Sequence, residues 1–544
     1  MKISAQNIER ATRNGLVPDS LKNLLRLREG IRSSVVTLKQ DAIGNADRET
    51  LIDLLAFLES FGSDFKREVR VVKCVLDAVS GDFSKPLPSY EALYGVLMHY
   101  LRKERLNGWV FVSENDTINP YLAQRLHLSF YDQKREEDDM RVSLTLVSYG
   151  LTTTSTDAAS SLSKKEIMFN PGDVSRRLIT TVLETYGLRK ETQALIEDHE
   201  SDMRLLDASR AKFAQQMTFS GIPVLSDTYG WRDRSERTGR VIFDMDAKAY
   251  GAPPAAYPSF LCDDDTDTLH CPVLPYVRVF DLKTYDYILV HISNLKDYVY
   301  DASLRNKLIL PPTHSRLLDV MTDSAILLGD DLIEGKKAPR IIIARGRPGL
   351  GKTLTAEAYS EIMRTPLYAI HSGHFGTTPA QIEKALSLVF ARAKRWNCFI
   401  LLDECDVFVS KRETGTSLEQ NAVVAVFLRM LEYYDGVMFM TTNRSGAIDD
   451  AILSRAAGII SYDTLSDDDR ARVWQVQSDN FKAGLDADLI SALVKAFPKA
   501  SGRDIRSLLT TVMRVSAHYG TPIDLQVFLD YAVFKEIEIV APQP

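Results

Sequence analysis

The chain has 544 residues, a net charge of −7, and 45% hydrophobic beside 26% charged residues. That length sets an expectation of about three domains, and the composition is that of a folded globular protein rather than a disordered one. The acidic balance argues against a chain devoted to wrapping nucleic acid, which needs a basic face, and no apolar run reaches the roughly 18 residues of a membrane span.

Residues 1 to 40 are rich in Arg, Lys and Ser, as mitochondrial transit peptides are. Glu9, Asp19 and Glu29 run against that reading, no secretory h-region is present, and cytoplasm is the default expectation. Apolar positions at helical spacing, Leu21, Leu24 and Leu25, then Leu51, Leu54, Leu55 and Leu58, predict a helical domain over 1–107. Within it the basic run 26–39 reads as a solvated amphipathic helix.

An α+β domain is expected over 108–249. Short β-like runs stand at 109–112, 126–130, 142–147 and 165–169, separated by polar loops such as 152–163. A long, charge-rich helix follows over about 174–216. The stretch from Tyr229 through Trp231, Arg232, Arg234 and Arg237 to Arg240 interleaves aromatics with arginines, as a single-strand platform does, but Asp233 and Glu236 dilute it. A solvated loop or a contact surface between subunits is the favoured reading. Region 250–310 begins with the proline-rich linker 250–258 and continues with a predicted hairpin, 276–280 and 287–291.

Five cysteines, Cys74, Cys262, Cys271, Cys398 and Cys405, are few and odd in number, which suits a reducing compartment. Cys262, His270 and Cys271 flank Asp263, Asp264, Asp265 and Asp267 without the spacing of a zinc site. An acidic surface loop is expected there, with no metal.

Chemistry concentrates further on. Arg340-Ile-Ile-Ile-Ala344 reads as a strand, Gly346-Arg-Pro348-Gly349-Leu350-Gly351-Lys352-Thr353 as a glycine-rich turn, and Leu354-Thr-Ala-Glu-Ala358 as a helix start. This is the G-x-x-x-x-G-K-[ST] cradle, in which successive backbone N–H groups converge on phosphate at a helix N-terminus. Lys352 would reach the β- and γ-phosphates and the Thr353 hydroxyl would ligate Mg²⁺. Phe399-Ile-Leu-Leu-Asp403-Glu404 reads as a buried parallel strand whose acidic end emerges where open α/β sheets bind ligands. Asp403 is placed to hold Mg²⁺ through its water shell, and Glu404 to polarise the attacking water. A third strand, Gly436 to Thr442, ends at Asn443, which can both donate and accept and so suits the γ-phosphate and that water. Arg455 follows a short helical turn, and Arg503 and Arg506 open a predicted helix. Helical pattern over 466–535 begins at the cap-like cluster Ser466-Asp-Asp-Asp.

In this order the segments 310–535 resemble an AAA+ ATPase module, with Walker A, Walker B ending in Asp-Glu, sensor 1 at Asn443, an arginine finger and a sensor 2 region. The resemblance implies a P-loop α/β domain over 311–465, a parallel sheet with flanking helices, and a helical lid over 466–544, preceded by the α+β N-terminal region. It implies ATP and Mg²⁺ as cofactors and a homo-oligomer, usually a hexameric ring. Arg455 would then be the finger completing a neighbour's site, and Arg503, ahead of Arg506, sensor 2. Two departures stand out. The finger loop carries one arginine where many relatives carry two, and His374-Phe375-Gly376 matches the family's pore loop only approximately. Phe375 reads either as an apolar grip on an extended chain or as a packed loop aromatic. The implied activity is ATP hydrolysis that remodels a protein client held by the N-terminal region. The alternatives are a nucleic-acid-associated motor or loader and an ATP-gated assembly switch.

Overall fold

Asp47 opens the first long helix, its carboxylate accepting the Thr50 N–H at 2.7 Å and so satisfying a donor that a helix start leaves unpaired. The computed structural model describes residues 2–4, 17, 20–21, 35–37, 40–114, 116–130, 140–151, 160–226, 235–245, 256–262, 267–322, 340–409, 418–432, 434–444 and 448–540. The chain divides into two units, 1–213 with 218–239 and 243–296, and 214–217 with 240–242 and 297–544.

In the first unit, helix α1 (Arg48–Glu59) buries Leu51, Leu54, Phe57 and Leu58, and α2 (Lys66–Val79) buries Val71, Val72, Val75 and Ala78. Spacings of three and four put each set on one face. Helix α3 (Leu93–Arg102) is buried almost all round, as a central helix must be. These helices share a core with an antiparallel sheet of β1 (Trp109–Glu114), β2 (Thr117–Phe130), β3 (Met140–Leu151), β4 (Ser160–Phe169) and β5 (Leu188–Lys190), ordered β4-β3-β2-β1-β5. The Tyr90 hydroxyl pins helices to strands, donating to the Phe169 carbonyl at 2.7 Å and accepting the Val142 N–H at 2.8 Å.

The expected helix over 174–216 is broken. Residues Ile179–Thr185 are helical, Gly187 turns at φ 69°, β5 pairs with β1, and only then does α4 (Gln193–Ser209) start at the Thr192 cap. Pairing with β1 overrides a locally helical pattern, because strand partners lie far away in sequence. Ser160 to Ser163 belong to β4 rather than to a loop; residues 152–159 lie outside the described residues. So do Leu24, Leu25, most of the run 26–39, Tyr229, Trp231, Arg232, Arg234 and Asp263 to Asp265. Before α1, Lys2–Ser4 pairs with Val35–Thr37 as a short ribbon that helical spacing did not foretell. The linker's described end, Ala256–Tyr257, pairs with Leu269–His270 despite the nearby prolines.

The predicted hairpin forms as β6 (Tyr276–Asp281) and β7 (Asp286–His291), inside a six-stranded sheet. Every residue of both strands is buried, so Arg278 lies inside. Its guanidinium donates to the Asp244 carbonyl at 2.8 and 3.0 Å and stacks 4.8 Å over Tyr287, whose hydroxyl donates to the Asp244 carboxylate at 2.6 Å. Buried charge persists where it is hydrogen-bonded in this way.

In the second unit, five parallel strands, β8 (Arg340–Gly346), β9 (Leu367–His371), β10 (Phe399–Asp403), β11 (Val437–Thr442) and β12 (Gly458–Tyr462), run in the order β9-β10-β11-β8-β12. Helices α5 (Pro312–Thr322), α6 (Lys352–Ile362), α7 (Pro379–Trp396) and α8 (Leu418–Leu431) alternate with them. This is the α/β P-loop architecture expected of the C-terminal half. A four-helix group follows: α9 (Asp467–Phe481), capped by Ser466; α10 (Ala487–Ala496); α11 (Gly502–Tyr519), started by a reciprocal Ser501/Asp504 capping box; and α12 (Leu525–Ala532). Trp474, Phe497, Leu508 and Phe528 fill its core.

Register places Gly346 beside Tyr462. A Cβ at 346 would meet the Tyr462 carbonyl oxygen at 2.4 Å, and the residue sits at φ 149°. Gly346→Ala is therefore expected to destabilise this unit by about 1–3 kcal/mol and to weaken nucleotide binding; an unfolding midpoint equal to wild type would refute the constraint.

The first unit also holds a titrating cluster. His199 on α4 and His291 at the end of β7 are each held near a pKa of about 4 by burial, His291 also by its neighbour His199. Asp202, 3.6 Å from His291, is pushed up to about 6 by burial and by Asp198. Between pH 6.5 and 4 the unfolded chain gains two histidine protons that the folded chain lacks, while the folded chain gains one on Asp202. Stability falls with falling pH in that window. Asp202→Asn removes the opposing proton and should steepen the loss, read as denaturation midpoints at pH 7, 5.5 and 4; an unchanged slope would count against this assignment.

Candidate functional site

Strand β8 is buried through Ile341, Ile342, Ile343 and Ala344, so its hydrogen-bonded rails carry the chain straight to the sheet's C-terminal edge. There its neighbours are β11 on one side and β12 on the other, which is where open α/β sheets leave a crevice. Gly349 and Gly351 take left-handed φ values of 83° and 96°, and α6 begins at once with Lys352. The backbone therefore wraps a concavity closed by a helix N-terminus, a natural anion seat.

The Lys352 ammonium is buried, with the residue only 8% exposed. It donates to the carbonyls of Gly346 and Arg347 at 2.8 Å each and to Asn443 Oδ1 at 2.9 Å. Burial lowers its pKa, opposed by Asp403, Asp406 and Glu404. The Thr353 hydroxyl donates to Asp403 Oδ1 at 2.9 Å. A hydroxyl and a carboxylate in contact are hard oxygen donors, the set that Mg²⁺ prefers, and glycines leave room for phosphate. The residues present thus fit both groups.

Glu404 departs from the strand at φ 51°, a left-handed conformation that a non-glycine residue holds only when its surroundings impose it. Thr441 imposes it: the Thr441 hydroxyl accepts the Glu404 N–H at 2.9 Å and itself donates to Asp403. The Asp406 carboxylate accepts the Asn443 N–H at 3.1 Å and the Thr442 hydroxyl, anchoring the loop that carries Asn443. Sequence reading missed Thr441 and Asp406. Their signals, hydroxyls at a strand end and an acid three residues beyond Asp403, meant nothing until β10 and β11 were adjacent.

A cavity of about 370 Å³ joins Pro348, Gly349, Leu350, Gly351, Lys352, Thr353 and Leu354 with Asp403, Glu404, Asn443, Arg503 and Arg506. Its lining also includes the apolar Leu308, Ile309, Leu465, Val473 and Val476, side chains suited to a planar base. Arg503 stands closest to the turn, its N–H donating to the Gly349 carbonyl at 3.2 Å, and a Cβ on Gly349 would lie 2.9 Å from the Arg503 Cβ. Gly346 contributes its carbonyl to Lys352.

Arg455 does not line this cavity. Phe375 is buried and meets Phe408 edge-on, ring centroids 5.5 Å apart. Of its two sequence readings, the packed aromatic is the one observed. Cys398 and Cys405 are buried free thiols flanking β10, and Cys262 and Cys271 are free as well. Among the described residues no group of three or more His, Cys, Asp or Glu side chains is placed to hold a metal ion.

Residues 342–464 match the model of the ATPase family associated with various cellular activities (AAA). A 26S proteasome regulatory subunit homolog of Methanothermobacter marburgensis is 28% identical over 208 residues, 36% of this chain and 55% of that protein. The ribosome biogenesis ATPase RIX7 of Saccharomyces cerevisiae is 28% identical, over 39% of this chain and 26% of its own length. The ATP-dependent zinc metalloprotease FtsH of Pelodictyon phaeoclathratiforme is 26% identical, over 34% and 30%. The chain thus spans about half or less of the length of these curated relatives. A solved chain from an E. coli MS115-1 HORMA:CdnC:Trip13 complex aligns at 19% identity and TM-score 0.36, covering 46% of this chain and 94% of that one. By its glycine-rich turn, its paired acids and its match across β8 to β12, the segment 342–464 of this chain is an AAA ATPase module.

Proposed function

We propose that this protein hydrolyses ATP with Mg²⁺ as part of a ring of identical subunits, hexameric as is usual in the family, and uses the cycle to remodel a protein client held by its N-terminal region. One observation carries the reading: Lys352, Thr353, Asp403, Glu404 and Asn443, from three separate strand ends, converge on one cavity.

In this reading the backbone of 346–351 and Lys352 hold the β- and γ-phosphates, exchanging the lysine's carbonyl partners for phosphate oxygens. Thr353 and Asp403 hold Mg²⁺, which when bound neutralises charge on those oxygens. Glu404, kept off the strand axis by Thr441, accepts a proton from the attacking water, and Asn443 fixes that water's position. Arg503 senses the phosphates from the lid, and Arg455 serves the adjoining subunit.

The acidic net charge of −7 favours a protein client over nucleic acid. Names of relatives point the same way, to proteasome regulation and proteolysis. The buried Phe375 takes no part in gripping the client. Cytoplasm is the proposed compartment, in keeping with five unpaired cysteines; no described helix is long and apolar enough to cross a membrane. The nucleic-acid reading rests on the arginine-aromatic stretch of 229–240, of which Arg237 is occupied by an ion pair with Asp281 at 3.5 Å. ATPase stimulation by DNA or RNA, lost steeply with salt, would select it. Tight ATP binding with negligible turnover would select the assembly switch.

Glu404→Gln should retain ATP binding while losing about a hundredfold or more in turnover; wild-type turnover in that variant would overturn the assignment of the base. Arg455→Ala should lose on the order of a thousandfold, and mixing it with Lys352→Ala subunits should recover part of the activity at hybrid interfaces. Failure to recover at every mixing ratio would exclude a finger acting between subunits.

A further inference from the structure

We propose that Glu432 is a positioning residue for Arg455, holding its guanidinium against the chain's own surface until a neighbouring subunit's nucleotide draws it away. The inference rests on the reading that Arg455 serves the adjoining site.

Glu432 directly follows α8, and Arg455 follows the short helix Asp450–Leu453, so the two residues, 23 positions apart in sequence, come from different elements. Arg455 Nη1 donates to the Ala451 carbonyl at 2.8 Å, and Nη2 donates to the Glu432 carboxylate. The guanidinium is thus tethered in cis on two sides and its charge is balanced by a carboxylate. Both side chains keep a share of solvent, 27% for Arg455 and 42% for Glu432, so the arginine is within reach of an approaching surface.

A finger acts through net positive charge delivered to developing negative charge. A carboxylate left in contact would cancel that charge and would itself be repelled by phosphate oxygens. The pair must therefore open for Arg455 to act. Opening is easy: half-exposed ion pairs are worth little, equivalent to about a two- to fivefold change in an equilibrium, whereas a triphosphate presents several charges and the planar acceptors that a guanidinium prefers. Weakness is what this role requires, since a deeply buried pair would keep the finger out of any site. The carboxylate suppresses turnover while subunits are apart or wrongly docked and yields when a nucleotide-loaded neighbour is in register.

The test uses the full chain and measures steady-state turnover at saturating ATP across a range of protein concentrations, for wild type, Glu432→Gln, Glu432→Asp, Arg455→Ala and the double variant Glu432→Gln/Arg455→Ala. Glu432→Gln should reach half-maximal turnover at about two- to fivefold lower protein concentration, with KM for ATP unchanged because Glu432 lies outside the chain's own cavity. Glu432→Asp, which keeps the charge, should stay closer to wild type. In the Arg455→Ala background the same change should have no effect, a dependence that a merely structural role would not show. If Arg455→Ala loses turnover while Glu432→Gln matches wild type, falls below it, or gains equally without Arg455, the inference fails alone. If Arg455→Ala turns over like wild type, the reading of the finger itself falls, and this inference with it.

Discussion

A buried ammonium needs oxygen around it, and much of the second unit is arranged to supply that oxygen to Lys352. The residue leaves solvent almost completely, at a cost that only hydrogen bonds can offset. Two acceptors are backbone carbonyls of the turn itself, Gly346 and Arg347, and the third is Asn443 at the end of a different strand. The lysine therefore sits correctly only if β8 and β11 are neighbours in register, with Arg345 beside Thr442. Strand pairing and charge burial are one constraint seen from two sides.

The same economy governs the acids. Asp403 and Glu404 are adjacent in sequence yet stand in different surroundings, and Thr441 is tied to both. That hydroxyl accepts the Glu404 N–H and donates a hydrogen bond to Asp403, so one side chain from β11 both anchors the Asp403 carboxylate and holds Glu404 in its left-handed turn. Asp406 repeats the pattern one step outward, tying the end of β11 to the segment that follows β10. Removing any of these hydroxyls or carboxylates would disturb neighbours that it does not itself resemble in role.

The start of helix α11 meets the turn through the side chains of Ser501 and Arg503 and one backbone hydrogen bond. Gly349 has no Cβ, and Ser501 Oγ and Arg503 Cβ occupy the space one would need, at 2.6 and 2.9 Å, with the Arg503 N–H on the Gly349 carbonyl. The same helical group also lines the cavity, through Val473 and Val476 of α9 and Arg506 of α11.

The P-loop turn, the acidic end of β10 and Asn443 at the end of β11 were legible from residue types alone, because steric and electrostatic demands act there over a few consecutive residues. Apolar runs marked β8, β10 and β11, and period-two or helical spacing marked β1, α1 and the hairpin β6–β7. What sequence could not decide were relations between distant segments. The pairing of β5 with β1 split a stretch that reads as one helix; burial on both faces put Arg278 inside; and Phe375 turned inward against Phe408. Thr441, Asp406 and Glu432 acquired roles only through neighbours 36 or more positions away in the first two cases, and 23 in the third. Local chemistry is written in short spans of chain, but which hydroxyl, carboxylate or ring stands across a gap is settled when the sheet order β9-β10-β11-β8-β12 forms, since each such partner is brought near by packing and not by its own sequence.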